Sequence, residues 1–318
     1  MRRTLFSLAL ALLPTTALAQ SPWPSHPVRV MVGFTAGSGP DLQARTISQR
    51  LATDLHQSFF IENRLGANGT IAARAVAQAA PDATTMLFSS SSISPTPHIY
   101  KNLGYDTLTD LRPVATSGIL DGMLLLVDGQ SPIKSVADLI AQAKKDRVVY
   151  GSPGVGNVLH LAAESFAQTA GITLQHIPYK GASEVTNALL SGSVTMMFVT
   201  PVSVIGLLKE GKVRALAFTG TKPFPEFPDV PLMKDLLPGS RTMGSWGMFF
   251  LPGKTPLPTA ERMNEAVRAA LKAPEVAKIM ARDGYVPDNR NAAETAAFFK
   301  SEVAAMGEAV KAARIEPN

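Results

Sequence analysis

Three short stretches of this chain carry residues whose types and spacing fit ligand chemistry. The first is Thr35-Ala36-Gly37-Ser38-Gly39-Pro40-Asp41, set between the apolar run that ends at Gly33-Phe34 and a helical pattern that begins at Leu42. Gly37 and Gly39 let the backbone approach a ligand closely, and Asp41 sits where an N-cap or first-turn residue would. A helix start offers N–H groups without intrahelical partners and a partial positive charge, which together favour an anion. The dinucleotide fingerprint asks for a third glycine where Leu42 stands, although an acid, Glu62, lies about 20 residues on. The turn therefore has three readings: an anion cradle, a degenerate cofactor loop, or a tight strand–helix connection.

A second loop of the same kind runs Tyr150-Gly151-Ser152-Pro153-Gly154-Val155-Gly156-Asn157. It also follows an apolar strand pattern and opens a helix, with Ser152, Gly154, Gly156 and Asn157 as its candidate ligand groups. Neither loop contains lysine or arginine, so binding there would rest on backbone dipoles and hydroxyls. The third stretch is Ser89 to Ser92, where Ser90 and Ser92 either satisfy a turn's own backbone or offer hydroxyls to a ligand.

Signatures of catalysis fail on inspection. Gly206 to Lys212 resembles a P-loop, but Val213 replaces the required Ser or Thr, and its order runs helix to strand. Ser152 lacks the glycine two residues earlier that a nucleophile elbow needs, since Tyr150 stands there. The five histidines show no metal spacing. Only His160, just after the second loop, falls near a candidate site, where packing or capping competes with catalysis. The rival to a binding protein is thus an exported hydrolase using Ser152 or Ser90 with His160. Asn68-Gly69-Thr70 matches a glycosylation sequon and carries no weight without knowledge of the cell.

The chain has 318 residues, 46% apolar and 17% charged, a globular mix long enough for two domains. It has no cysteine, which excludes disulfides, zinc–thiolate sites and cysteine nucleophiles. Arg2 and Arg3, an apolar run from Leu5 to Leu13, and Ala17-Leu18-Ala19 form a secretory leader with cleavage expected after Ala19. That run is far short of the about 20 residues needed to span a bilayer. The formal charge of +5 includes the leader's two arginines, and no basic run accompanies it, so nucleic acid is not an expected partner.

The elements that must position these loops alternate between strand and helix. Strands are expected at 28–32, 58–62 and 85–88, with helices at 42–55 and 71–80, which predicts a parallel sheet covered on both faces. Adjacent extended runs at 111–117 and 123–127 then interrupt the alternation. It resumes with helices at 136–145, 159–169, 183–191 and 202–210 and strands at 148–150, 174–178, 194–199 and 213–219. A second interruption at 244–251 leads to helices at 259–271, 274–283 and 292–312. Two alternating blocks joined by two extended crossings predict two α/β domains, each a mainly parallel sheet flanked by helices, with a cleft at the carboxyl ends of the strands. The closing helices then have to pack on the first block.

Five motifs occur in order: Trp23 to Arg29, Gly33 to Asp41, Glu62 to Gly69, Pro178 to Gly181, and Gly211 to Ala217. Together with Asp229-Val230-Pro231 they resemble the Bug family of periplasmic solute receptors, which serve tripartite tricarboxylate transporters. The resemblance spans the chain beyond its leader. It implies a hinged two-domain periplasmic binding protein fold, divided as 20–118 with 247–318 and 119–246. It also implies a periplasmic monomer that needs no cofactor, metal or catalysis and whose partners are a small carboxylate and the subunits of a membrane transporter. The ligand groups it implies are Phe34, Thr35, Ala36, Gly37, Ser38, Gly39 and Asp41 in the first loop and Ser152, Gly154, Gly156 and Asn157 in the second. Ser90, Ser92, His160 and Thr200 complete the expected site. Many members carry an acid where this chain has Val199, so a non-amino ligand is expected here, a dicarboxylate or an aromatic carboxylate.

Overall fold

Val28–Val32 (β1) alternates its side chains between two buried environments. Val28, Val30 and Val32 join one apolar cluster and Met31 joins another, so the strand is covered on both faces. The computed structural model describes residues 23–317, and the leader with its cleavage site lies outside the described residues. The remaining strands are Phe59–Asn63 (β2), Thr85–Ser90 (β3), Leu111–Leu120 (β4), Leu124–Asp128 (β5) and Val149–Ser152 (β6). They continue with Gln175–Pro178 (β7), Met196–Val199 (β8), Val213–Phe218 (β9), Ser245–Pro252 (β10) and Tyr285–Val286 (β11).

The strands form two sheets, ordered β11-β4-β10-β3-β1-β2 and β7-β6-β8-β5-β9. Both sheets are mixed. Pairing is parallel for β1 with β2 and β3 and for β6 with β7 and β8. It is antiparallel for β10 with β3 and β4, β11 with β4, and β5 with β8 and β9. The cause is visible in the chain order: β5 and β10 each enter their sheet by a crossing from the other sheet, whereas a parallel neighbour requires a long crossover within one sheet.

Helix Gly39–Leu55 begins three residues earlier than the apolar pattern suggests. Ser38 takes the extended N-cap conformation (ψ 161°) and Pro40 fits the first turn. Its Ala44, Ile47 and Leu51 pack on the β1 valines together with helices Leu257–Lys272 and Pro274–Arg282. The opposite face is covered by helices Thr70–Ala77 and Ala292–Ala312, so the C-terminal helices do return to the first sheet. The second sheet is sandwiched between helices Val136–Lys145 and Val158–Ala170 on one side and Ala182–Leu190 on the other. The helix expected at 202–210 is broken: a 3₁₀ turn spans Pro201–Ser203, Val204 leaves helical geometry (φ −132°), and helix resumes over Ile205–Lys209.

The chain crosses between sheets after Leu120 and again between Phe218 and Ser245. Thr219 binds these crossings together. Its hydroxyl accepts from the Met123 amide at 2.8 Å and donates to the Met243 carbonyl at 2.7 Å. Asp121 likewise accepts from the amide and hydroxyl of Thr221. Among the described residues no helix is long and apolar enough to cross a membrane.

Candidate ligand-binding site

The loops that leave β1, β2 and β3 face those that leave β6, β7 and β8, as open α/β sheets place their ligand crevices. They enclose a cavity of about 50 Å³. From the first loop, Phe34, Thr35, Ser38, Gly39 and Pro40 line it. The hydroxyls Thr35 Oγ1 and Ser38 Oγ are buried and have no hydrogen-bond partner within the protein.

Asp41, expected among the ligand groups, lies beneath this loop rather than in the cavity wall and is 1% exposed. One carboxylate oxygen accepts from the Gly37 amide and from Arg45 Nε, both at 2.9 Å, and the other accepts from Asn63 Nδ2 at 2.8 Å. Burial works against its charge, but the hydrogen bonds from Arg45, Asn63 and Gly37 outweigh that and hold its pKa below the ordinary range. Asp41 therefore shapes the turn. Ala36 and Gly37 are exposed and do not line the cavity. Gly37 instead supplies the left-handed bend (φ +79°) that lets its amide reach Asp41.

The β3 loop places Ser90 and Ser92 at the cavity wall, with the Ser92 amide donating to Ser90 Oγ at 3.4 Å. Thr200, after β8, also lines the cavity. Val199 does not: it is fully buried in the second sheet's core, where an acid would face leucine and methionine rather than a ligand. Val199, expected to govern whether an amino ligand is accepted, therefore does not reach the ligand. What bears on ligand charge is the wall itself, which among the described residues contains no Asp or Glu and only Lys180 and Tyr285 as ionisable side chains.

From the second loop, Asn157 lines the cavity, joined by Pro153. Ser152, Gly154, Gly156 and His160 stand behind it. Ser152 is fully buried, donates to the Gly154 carbonyl at 2.9 Å, and lies 2.7 Å from His176 Nε2. His160 Nδ1 accepts from the Gly156 amide at 2.8 Å, and its ring stacks on that of His176 with centroids 4.0 Å apart. Tyr150 packs against both rings, its centroid 4.9 Å from that of His176 and 6.0 Å from that of His160, and donates its hydroxyl to Glu164. Burial and the adjacent His160 depress His176 to about 4, against the opposing pull of Glu164. The serine–histidine contact that forms is thus Ser152 with His176, not with His160, and it braces the loop from behind.

Sequence reasoning missed Gly66, Asn68, Pro153, Lys180, Gly181, Ser245 and Tyr285 as wall residues. Asn68, Lys180 and Gly181 follow β2 and β7, so the rule that placed the other loops would have reached them. Ser245 and Tyr285 open antiparallel strands, for which the pattern offers no such signal. Three helices start at the wall: Gly39 and Pro40, Val158 and Leu159, and Ala182 all belong to first turns. With one lysine, free hydroxyls and these N-termini, the site is suited to hold a small anion. Among the described residues no group of three or more His, Asp or Glu is placed to hold a metal ion.

Comparison with known proteins gives a consistent picture. The model of the tripartite tricarboxylate transporter family receptor matches residues 43–315. A UPF0065 protein of Bordetella bronchiseptica is 33% identical over 97% of this chain and 91% of its own length. The solved periplasmic binding protein BugD is 29% identical with a TM-score of 0.87, covering 93% of this chain and 100% of that one. An R. palustris protein solved with adipate is 32% identical with a TM-score of 0.88, at the same coverage of both chains.

Proposed function

Because the chain belongs to the family of tripartite tricarboxylate transporter receptors, we propose that it captures a small non-amino carboxylate in the cleft and delivers it to a tripartite-type membrane transporter. The observation that carries this reading is the pair of buried, unpartnered hydroxyls, Thr35 Oγ1 and Ser38 Oγ, at a wall where three helices begin. A buried hydroxyl without a partner costs free energy, and a carboxylate oxygen would relieve two of them at once. The wall has no acid to receive an ammonium group, and Lys180 stands at it to balance negative charge. The adipate held by the R. palustris relative supports the same class.

In this reading the leader is removed after Ala19 and the mature chain works in the periplasm as a monomer, without cofactor or catalysis. The domains divide at the crossings, with 119–120 and 245–246 assigned to the first domain because Leu120 and Ser245 pair within its sheet.

The test is a thermal-shift screen of residues 20–318, unfolded and refolded to strip any carried-over ligand, against succinate, malate, adipate, citrate, benzoate and aspartate. A ligand at 100 times its dissociation constant adds about 2.7 kcal/mol of stability. The expected result is a shift with one or a few dicarboxylates, none with aspartate, and recovery of the ligand unchanged. No response to any carboxylate, or consumption of the compound during incubation, would refute the reading and return the hydrolase to the front.

A further inference from the structure

Away from the crossing segments, every hydrogen bond between the two domains among the described residues involves one side chain, Asn68. Its Nδ2 donates to the Val155 carbonyl of the second domain at 2.7 Å and to the Tyr100 hydroxyl of its own domain at 3.2 Å. Its Oδ1 accepts from Asn157 Nδ2 at 3.4 Å. Asn157 in turn caps helix Val158–Ala170 through its Oδ1, which accepts from the Leu159 amide at 3.0 Å. One carboxamide thus joins the first domain to the loop and helix start that form the opposite wall.

The backbone on both sides is shaped to admit this contact. Asn68 adopts a left-handed conformation (φ 55°, ψ 30°), between Ala67 at φ 47° and Gly69 at φ 87°. Asparagine tolerates that region better than most residues, and the tight turn carries its side chain across the cleft. Opposite it, Gly154 has φ +144°, and a Cβ there would lie 2.8 Å from Asn68 Oδ1. Gly154 therefore clears the space that the carboxamide fills. Asn68 is 7% exposed and itself lines the cavity.

We propose that Asn68 is the positioning residue that latches the domains together and thereby sets how long the cleft stays closed. When the domains part, Asn68 and the Val155 carbonyl regain water, so the latch adds only the net worth of a small buried hydrogen-bond set, about tenfold in the closed population. Because these bonds form only after the loops meet, they act on release of a captured molecule more than on its entry.

Closure can be read without any ligand, so this proposal stands or falls separately from the carboxylate reading. A Cβ built on Gly181 lies 3.5 Å from Thr35 Cβ across the cleft, within the disulfide range of about 3.5–4.5 Å. The chain has no cysteine to interfere. In protein carrying Thr35→Cys and Gly181→Cys, the rate of disulfide formation under limiting oxidant reports the closed fraction. Adding Asn68→Gly, which keeps the left-handed backbone and removes the carboxamide, should slow crosslinking about tenfold. Adding Asn68→Asp instead, which sets a carboxylate against the Val155 carbonyl, should slow it at least as much at pH 7. Both reduced variants should melt within a few degrees of the parent. Equal crosslinking rates in all three proteins would overturn the proposal. So would a slowing matched by a large fall in melting temperature in both variants, because Asn68 would then support the fold rather than closure.

Discussion

Asn63, the last residue of β2, donates from one nitrogen to Asp41 Oδ1 at 2.8 Å and to the Phe34 carbonyl at 3.0 Å. The second strand thereby holds the first loop in the shape that exposes Thr35 and Ser38 to the cavity. Replacing Asp41 with alanine would free the Gly37 amide, Asn63 and Arg45 together. We expect a loss of about 1–3 kcal/mol in urea unfolding, moderated because Arg45 is half exposed and can be solvated. Ligand-induced stabilisation should disappear with it. Unfolding unchanged by Asp41→Ala would show that the loop keeps its shape without the carboxylate.

The hydroxyls of Thr35 and Ser38 should behave in the opposite way. Each is buried without a protein partner, so removing it relieves a desolvation cost. Thr35→Val and Ser38→Ala are expected to leave stability unchanged or raise it by up to about 1 kcal/mol, while each weakens carboxylate binding about 5- to 30-fold. Calorimetric titration beside thermal unfolding separates the two effects. A variant that loses stability and keeps its affinity would place the hydroxyl in the scaffold rather than the site.

Much of this architecture is written in short-range pattern. The apolar strand at 28–32 and the helices at 136–145 and 292–312 have the bounds that their spacing predicts. The two interruptions in the alternation are where the sheets turn antiparallel. Legibility fails where a residue's role depends on what lies across space. Asp41 has the type and position of a ligand group, yet three local donors saturate it. Ser152 and His160 are neighbours in the chain, but a third residue, His176, comes between them. Tyr285–Val286 is too short to carry any periodicity, and it is placed only by pairing with Leu120 and Ile119.

Val199 and Thr200 provide a paired test of which position faces the ligand. Val199 is buried among Leu124, Leu126 and Met197, so Val199→Asp should cost on the order of 3 kcal/mol or more by enclosing an unpaired charge. Thr200→Asp places its carboxylate at the cavity wall, where stability should change little. Dicarboxylate affinity should fall at least about a hundredfold through like-charge repulsion. Titration of both variants with a dicarboxylate and with aspartate reads the difference. Loss of binding in Val199→Asp without loss of stability would reverse the assignment.

The histidine stack predicts how stability responds to acid. His176 titrates at about 4 in the folded chain, because burial and the neighbouring His160 disfavour its charged form more than Glu164 favours it. In the unfolded chain it titrates near the ordinary value of about 6.5. Between these values the unfolded state binds the extra proton, so stability must fall as pH drops from about 6.5 towards 4 and level off below that. The slope contributed by one such group is at most about 1.4 kcal/mol per pH unit. Urea unfolding at pH 7, 6 and 5 should show this decline. His176→Gln should start lower at pH 7, having lost the contact to Ser152, and then decline less steeply. The ligand-binding constant of the folded parent should not change through His176 over the same range, because the ring stays neutral in the folded chain until the pH nears 4. If parent and His176→Gln decline in parallel, the acid sensitivity belongs to another group and the stack is only a packing element.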